Sequence, residues 1–295
     1  MEIKQNNIYL GDCLDLMQHI RDKSIDMICT DLPYGQTARN KWDVVIPFHD
    51  YVVVNKIYYY ETNLIKLSEI LSMNLDETKK WFDSKKQTGL WSQYERIIKD
   101  NGIIILFANG MFTADLMQSN RKLWKYNLIW EKTQPTGFLN AKKMPLRSHE
   151  DIYIFYKKLP PYHPQKTTGH PRKVSKAEHK TNCKSTTDYG IYQSTSYDST
   201  ERYPRSIWTF AKDSQKSAAH PTQKPVVLIE ELIKTYTNSG GLILDSCAGS
   251  CTTAIAALNT GRNYICIEKD KDIYEIGVKR VNAHKDDMLH YSNHQ

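Results

Sequence analysis

Leu242-Ile243-Leu244-Asp245-Ser246-Cys247-Ala248-Gly249-Ser250-Cys251-Thr252-Thr253 is the stretch whose reading decides the fold. An apolar strand ends on a carboxylate, small residues turn the chain, and Thr252–Asn259 has helical character. Tyr264-Ile265-Cys266-Ile267-Glu268 then reads as a second strand. Strand, turn, helix and strand in this order make a βαβ unit of a parallel sheet. Small turn residues let the backbone approach a ligand, and a helix start offers free N–H groups. Glu268, roughly 20 residues beyond the turn, can accept hydrogen bonds from both hydroxyls of a ribose. The turn holds one Gly, so G-x-G-x-x-G is absent, and no G-x-x-x-x-G-K-[ST] occurs. An adenosine-type ligand without a pyrophosphate is favoured. A plain tight βα connection would read the same way. Cys247 and Cys251 are spaced C-x3-C, with Cys266 the only further candidate nearby, so no metal site is expected.

Moving outward, the N-terminal part has the same α/β character. Ile8-Tyr9-Leu10 is a short apolar run before Gly11-Asp12-Cys13, and Leu14–Ile20 has helical spacing. Ile25–Cys29 reads as a strand that stops at Thr30-Asp31-Leu32-Pro33-Tyr34-Gly35. A carboxylate, a carbonyl and an aromatic ring thus sit at a strand end, where open α/β sheets bind ligands. The trio suits an exocyclic amino group: Asp31 and the Leu32 carbonyl each accept one hydrogen, and Tyr34 stacks on the ring. As a bare tetrapeptide, Asp-Leu-Pro-Tyr is also an ordinary proline turn.

A helix near Leu90–Lys99, a turn at Asp100-Asn101-Gly102 and an apolar strand over 102–107 continue the core. Strands at Asn127–Trp130 and Ile152–Tyr156 and a helix at Pro225–Tyr236 follow. A last helix over Ile273–Ala283 is expected to give way to a frayed tail at 286–295. Two stretches differ. Residues 49–88 carry balanced charges and a helical stripe at Leu64, Leu67 and Leu71, with Asn74 and Glu77 spaced as a capping box. They read as a helical insertion. Residues 157–206 hold ten basic and four acidic residues, which accounts for +6 of the chain's +7. Five Tyr lie among Ser, Thr, Pro and Gly there, with little periodicity. A solvated charged face is the common meaning of such a run, and a polyanion-binding module is the other.

The motifs in this order resemble those of the β-class S-adenosylmethionine-dependent amino-group DNA methyltransferases. Gly11-Asp12-Cys13 resembles the segment beside cofactor and target base. Asp31-Leu32-Pro33-Tyr34 resembles the [DNS]-P-P-[YF] catalytic motif. His220-Pro221-Thr222-Gln223-Lys224-Pro225 resembles H-P-T-x-K-P, and Asp245 to Thr253 resembles D-x-F-x-G-S-G-T-T. The resemblance spans nearly the whole chain except 49–88.

The resemblance implies an α/β, Rossmann-like methyltransferase fold with a mostly parallel central sheet flanked by helices. Residues 1–48 and 89–156 would form the catalytic part and 207–285 the cofactor-binding part, with target recognition at 157–206. The implied reaction moves a methyl group from S-adenosylmethionine to an amino nitrogen of a flipped-out base in double-stranded DNA. Asp31, Leu32, Pro33 and Tyr34 would be catalytic. Cofactor contacts would come from Asp12, Cys13, Asp31, His220, Thr222, Lys224, Asp245, Cys247, Ala248, Gly249, Ser250, Cys251, Thr252, Glu268 and Lys269. His220 and Lys224 would lie toward the methionine carboxylate.

Lys142, Lys143, Arg147, Lys166, Arg172, Lys173, Lys176, Arg202 and Arg205 are the candidate DNA contacts. Asp at the first motif position favours adenine N6, with cytosine N4 the alternative. Two departures stand out. Leu32 replaces a Pro, and Cys251 replaces a Gly, where a Cβ is expected to crowd the methionine part. A homodimer and a cognate restriction endonuclease are partners the class allows.

Other classes fare less well. A nicotinamide oxidoreductase fails on the glycine pattern. Protein-glutamine methylation fails on motif order, and a DNA-binding module without turnover has no need of Asp31, Tyr34 and Glu268 together. RNA remains a substrate to be tested. No apolar run approaches the ~18 residues of a membrane span, and no secretory signal is visible. Six dispersed Cys then read as reduced thiols of a cytoplasmic protein.

Overall fold

The computed structural model describes residues 2–35, 43–176, 186–187, 190–191, 196–212 and 223–292. The chain divides into two compact units, Met1–Tyr162 with Ser206–Gln295, and His163–Arg205. The first begins with β1 (Asn7–Leu10), α1 (Cys13–Met17) and β2 (Ile25–Thr30). The insertion carries β3 (Tyr51–Val54), β4 (Ile57–Tyr60), α2 (Leu64–Leu71) and α3 (Leu75–Lys85). Then come α4 (Leu90–Ile97), β5 (Ile98–Ala108), α5 (Met111–Ser119), β6 (Trp124–Thr136) and β7 (Arg147–Phe155). The smaller unit holds β8 (Lys173–Ser175), β9 (Thr186–Thr187), β10 (Gly190–Ile191) and β11 (Tyr197–Ser199). The larger unit resumes with β12 (Ile207–Phe210), α6 (Val226–Tyr236), β13 (Leu242–Asp245), α7 (Thr252–Asn259), β14 (Asn263–Glu268) and α8 (Lys271–Ser292).

Eight strands form one sheet in the order β1-β14-β13-β2-β5-β7-β6-β12. Every neighbouring pair is parallel except those made by β7, which runs against β5 and β6. The near-continuous apolar runs of β2 and β5 follow from burial on both faces. Met27, Ile103 and Ile105 pack with Leu228, Leu232 and Ile255 of α6 and α7. Ile28, Ile104 and Leu106 face the other way, against Leu14, Leu90, Tyr94 and Phe112 of α1, α4 and α5. The period-2 alternation therefore separates two cores with the sheet between them.

Three readings change. The insertion is not wholly helical, because β3 and β4 pair as an antiparallel hairpin. Its turn, Asn55-Lys56, has positive φ at both residues, 51° and 65°. This is the geometry of a two-residue hairpin loop, reached here without the Gly that usually marks it. The hairpin and helices share a small core of Val52, Tyr59, Leu67 and Phe82, and the Asn74–Glu77 capping box forms. Next, Asp100–Gly102 is no separate turn but an irregularity inside β5. The pairing of β2 with β5 jumps there from Ile25–Ile98 to Met27–Ile103. A Cβ on Gly102 would lie 2.7 Å from the Ile98 side chain and 3.0 Å from the Asp26 carbonyl, so the kink needs Gly. Finally, α8 continues to Ser292 through the segment read as a frayed tail.

Cys251 departs from expectation most informatively. It sits at φ 60° in the left-handed region, but its side chain is fully buried rather than turned toward a ligand. Room comes from Gly277 of α8: a Cβ there would lie 2.6 Å from Cys251 Sγ and 3.0 Å from the Gly249 carbonyl. Gly277→Ala should therefore lower stability in urea by about 1–3 kcal/mol through overpacking. Adding Cys251→Gly should recover most of the loss. Equal instability of the single and double variants would show that the contact is not what Gly277 accommodates.

Candidate active site

The strand order reverses its direction of growth between β13 and β2, because β13 leads to β14 on one side and β2 to β5 on the other. Open α/β sheets bind ligands at such a point, beyond the carboxyl ends of the strands. Here the two ends are tied. The Ser246 backbone N–H donates to Thr30 Oγ1 at 3.0 Å, and the Tyr94 and Ser246 hydroxyls are 2.6 Å apart. Both motifs, the Asp31 turn and the Asp245 turn, emerge side by side into a cavity of about 850 Å³. That lies in the ~300–1,000 Å³ range of small-molecule sites.

One half of the cavity is built from the C-terminal βαβ unit. Each oxygen of Glu268 accepts one backbone N–H at 2.8 Å, from Gly249 and from Asp270. A carboxylate oxygen has a second lone pair, so ribose hydroxyls fit without displacing either bond. Asp12 caps α1 through the Leu14 N–H at 2.9 Å and pairs with Lys269 at 2.8 Å. Arg280 of α8 donates to the Ser250 carbonyl at 2.9 Å and Thr252 Oγ1 at 3.0 Å, bracing the glycine turn from behind. Asp12, Cys13, Asp245, Cys247, Ala248, Gly249, Ser250, Thr252, Glu268 and Lys269 all line the cavity, whereas Cys251 does not. The expected crowding by the Cys251 Cβ is therefore corrected: the side chain packs into the core toward α8. His220 and Thr222 lie outside the described residues.

Arg280 has no local sequence signal, since it acts from the middle of a helix some 30 residues beyond the turn. Tyr51 and Tyr58, in edge-on contact at 5.2 Å, also reach the cavity from the hairpin of the insertion. An aromatic, β-branched run at 51–60 was the available signal for them.

The other half is built from the Asp31 turn. Asp31 Oδ1 accepts the Tyr34 hydroxyl at 2.7 Å, and the Tyr34 ring stacks on Phe112 at 4.8 Å. Burial, then the charge of Asp31, pushes the Tyr34 phenol pKa well up, so it stays a neutral donor. Leu32 buries its side chain, which leaves its carbonyl as the group available for chemistry. The resemblance puts Lys224 toward the methionine carboxylate. Lys224 does line the cavity, but its ammonium forms ion pairs with Asp31 Oδ2 and, at 3.3 Å, with Glu150 Oε2. Burial opposes the Lys224 charge, yet Asp31 and then Glu150 outweigh it and push its pKa up. Glu150 and its partner Lys132 were not singled out from the sequence, because a lone acid on an apolar strand carries no motif.

The basic residues are spread over both units. Lys142, Lys143 and Arg147 are exposed on the larger one, and Arg147 lines the cavity. In the smaller unit, Arg172 pairs with Asp198, Lys166 with Glu201 at 2.8 Å, and Lys173 lies over the Tyr197 ring at 5.9 Å. Arg202 donates to the carbonyls of Pro171, Ser199 and Glu201, so its guanidinium holds that unit together. Lys176 and Arg205 are exposed. No group of ligands for a metal occurs among the described residues. Nor is any helix among them long and apolar enough to cross a membrane.

Sheet order, an acid beside a glycine turn, and an Asp-Leu-Pro-Tyr turn opening on the same cavity agree with an S-adenosylmethionine-dependent methyltransferase that acts on amino groups. Residues 25–279 match the N6_N4_Mtase family of DNA methylases, and the chain belongs to that family. It is similar to the type II methyltransferase M2.MboI of Moraxella bovis, 27% identical over 95% of this chain and 88% of the relative. M.HinfI of Haemophilus influenzae is 24% identical over 95% of this chain and 69% of its own length. Among solved structures, the M1.HpyAVI–SAM complex superposes with a TM-score of 0.53 at 20% identity, covering 94% of this chain and 98% of the other. The PvuII cytosine-N4-specific DNA methyltransferase gives 0.55 at 12% identity, covering 98% and 94%. The protein is thus a site-specific DNA methyltransferase that uses S-adenosylmethionine.

Two predictions follow from the cofactor half. Burial pushes the Asp245 carboxyl up to about 7, against the hydrogen bonds it accepts from Thr253 and Cys247. Its unfolded value is ~3.9, so the folded state binds the extra proton in between. That contribution to stability is fully present below pH ~4 and is lost as pH rises through about 7. Melting temperatures from pH 5 to 8 should fall more steeply for the wild type than for Asp245→Asn; parallel curves would place the proton elsewhere. Tyr58→Ala should weaken S-adenosylmethionine binding by about 3–10-fold, the size of one aromatic contact, in calorimetry. Unchanged affinity would make the hairpin a bystander.

Proposed function

We propose that the protein methylates the N6 amino group of adenine within a specific sequence of duplex DNA. The observation that carries the reading is the identity of the first residue of the catalytic turn. Asp31 stands beside the Leu32 carbonyl at the end of β2, and in the resembled class Asp there goes mostly with adenine. Cytosine N4 is the second reading, because both bases offer an amino group and a π face.

The difficulty of the reaction lies in the nitrogen lone pair, which is delocalised into the base. Asp31 accepts one amino hydrogen and the Leu32 carbonyl the other, which draws the nitrogen toward a tetrahedral shape and frees the lone pair. S-adenosylmethionine supplies the electrophilic methyl group. Methylation would make that nitrogen acidic, and Asp31 would receive the proton it gives up. The target base must leave the duplex to reach this turn, and stacking on Tyr34 offsets part of the unstacking cost.

The segment 157–206, most of which lies in the unit His163–Arg205, is read as the target-recognition region, because it concentrates the basic charge. With the type II relatives in view, the chain reads as the modification partner of a restriction endonuclease in the cytoplasm, associated with the nucleoid when DNA-bound. Homodimerisation is a further proposal.

Mass spectrometry of nucleosides from duplex DNA methylated by the protein tests the base assignment. N6-methyladenine, reduced at least about 100-fold by Asp31→Ala, is the expected result. N4-methylcytosine would keep the mechanism and overturn the base.

A further inference from the structure

The methyl-transfer turn is coupled to a row of alternating charges that the reaction, as described, does not require. Lys132 on β6 pairs with Glu150 on β7, Glu150 lies 3.3 Å from Lys224, and Lys224 pairs with Asp31. Side-chain exposure along the row is 4%, 15%, 11% and 27%, so all but the last are substantially withdrawn from water. Lys132 lies over the Trp130 ring and Lys224 over the Phe107 ring, each at 5.0 Å. Removing charges from water is costly, and apolar residues would fill such a space at less expense. The row is therefore not explained by stability.

We propose that Glu150, held by Lys132, is a positioning residue for methyl transfer: it takes up the Lys224 ammonium when Asp31 turns its carboxylate to the target amino group. Two observations carry this. Lys224 touches both carboxylates, so each weakens the hold of the other. An ammonium with Asp31 as its only partner would bind that carboxylate more tightly and blunt it as an acceptor. In addition, Glu150 Oε2 is buried and lies 3.3 Å from Lys224 Nζ, so a second carboxylate is already in place to take the ammonium. Burial works against the Glu150 carboxylate, but Lys224 and then Lys132 outweigh it and keep its pKa below the usual value. It therefore remains an anion able to receive the ammonium.

The inference rests on Asp31 as the acceptor of the target amino group and not on which base carries that group. Other charged or titratable groups around the row are Cys29 on β2, Tyr34 and Asp43 beyond it, Arg147 on β7, Lys212 after β12 and Asp245 on β13.

Charge-restoring variants provide the test, with kcat, KM for DNA and cofactor affinity measured across pH. Glu150→Gln leaves one excess cation beside Asp31. It should lower kcat by about 10–100-fold, the weight of one charge-assisted hydrogen bond, and move the acidic limb to lower pH. KM and cofactor affinity should stay within about threefold. Lys132→Met leaves one excess anion and should move the limb to higher pH. The double variant is neutral again, so the limb should return toward wild type, while kcat should stay low because no carboxylate is left at 150 to take up the Lys224 ammonium.

Limbs that do not move, limbs that move the same way, or a double variant that recovers wild-type kcat without a carboxylate at 150 would overturn the proposal. If Glu150→Gln does not fold, Glu150→Asp, which keeps the charge, must hold the wild-type limb while Lys132→Met shifts it; failure of that contrast also overturns it. Asp31→Ala is the separate control: substantial activity in that variant would sink the acceptor reading itself.

Discussion

Everything at the site depends on the seam between β2 and β13. These strands are 216 residues apart in the chain, yet the Ser246 N–H and the Thr30 hydroxyl join their ends. Buried polar groups without partners would cost about 1–3 kcal/mol each, so the tie among Thr30, Ser246 and Tyr94 is strongly held. At the opposite ends Asp26 accepts the Leu242 N–H at 2.9 Å and the Lys99 ammonium at 2.7 Å. With both ends of the seam fixed, two turns that are ordinary by themselves become one active site. The carboxylate of one faces a cavity whose other wall is the glycine turn of the second.

The parts of this arrangement that follow local rules were legible in the sequence. Strand, small-residue turn, helix and terminal Glu268 carry their own periodicity, and Asp31–Tyr34 carries a motif. What was not legible depends on side chains meeting across the fold. Cys251 looked like an obstruction because the sequence does not show Gly277 lying behind it. Lys224 was placed near the site by its motif, but its ion-pair partners, Asp31 and Glu150, lie far away in the chain and left no local signal. The hairpin at 51–60 was hidden by a helical stripe that follows it and by an Asn-Lys turn without Gly. The smaller unit shows a different limit: basic composition was plain, but Arg172 and Arg202 are engaged by Asp198 and by carbonyls of their own unit.

Electrostatics at the site follow a division of labour between its halves. Beside the glycine turn, Asp245 is pushed toward its neutral form by burial and the Cys247 thiol is held neutral by its neighbour Cys13 and by burial, while the Asp12–Lys269 pair and Glu268 keep charge at the outer edge. Around Asp31, charge is concentrated and balanced, anion against cation, along the row from Asp31 through Lys224 and Glu150 to Lys132.

The pairing of β1 with β14 has a consequence for how the chain is made. Residues 258 positions apart along the sequence are joined there, and β2 waits for β13 on its other side. At about 5–20 residues per second of synthesis, the edge strand and one flank of β2 stay uncovered for on the order of ten seconds or more. The N-terminal part must survive that interval with an exposed apolar strand border. The native sheet closes only when β13 and β14 arrive, so joining of its two halves and completion of the cavity between their turns are a single late event.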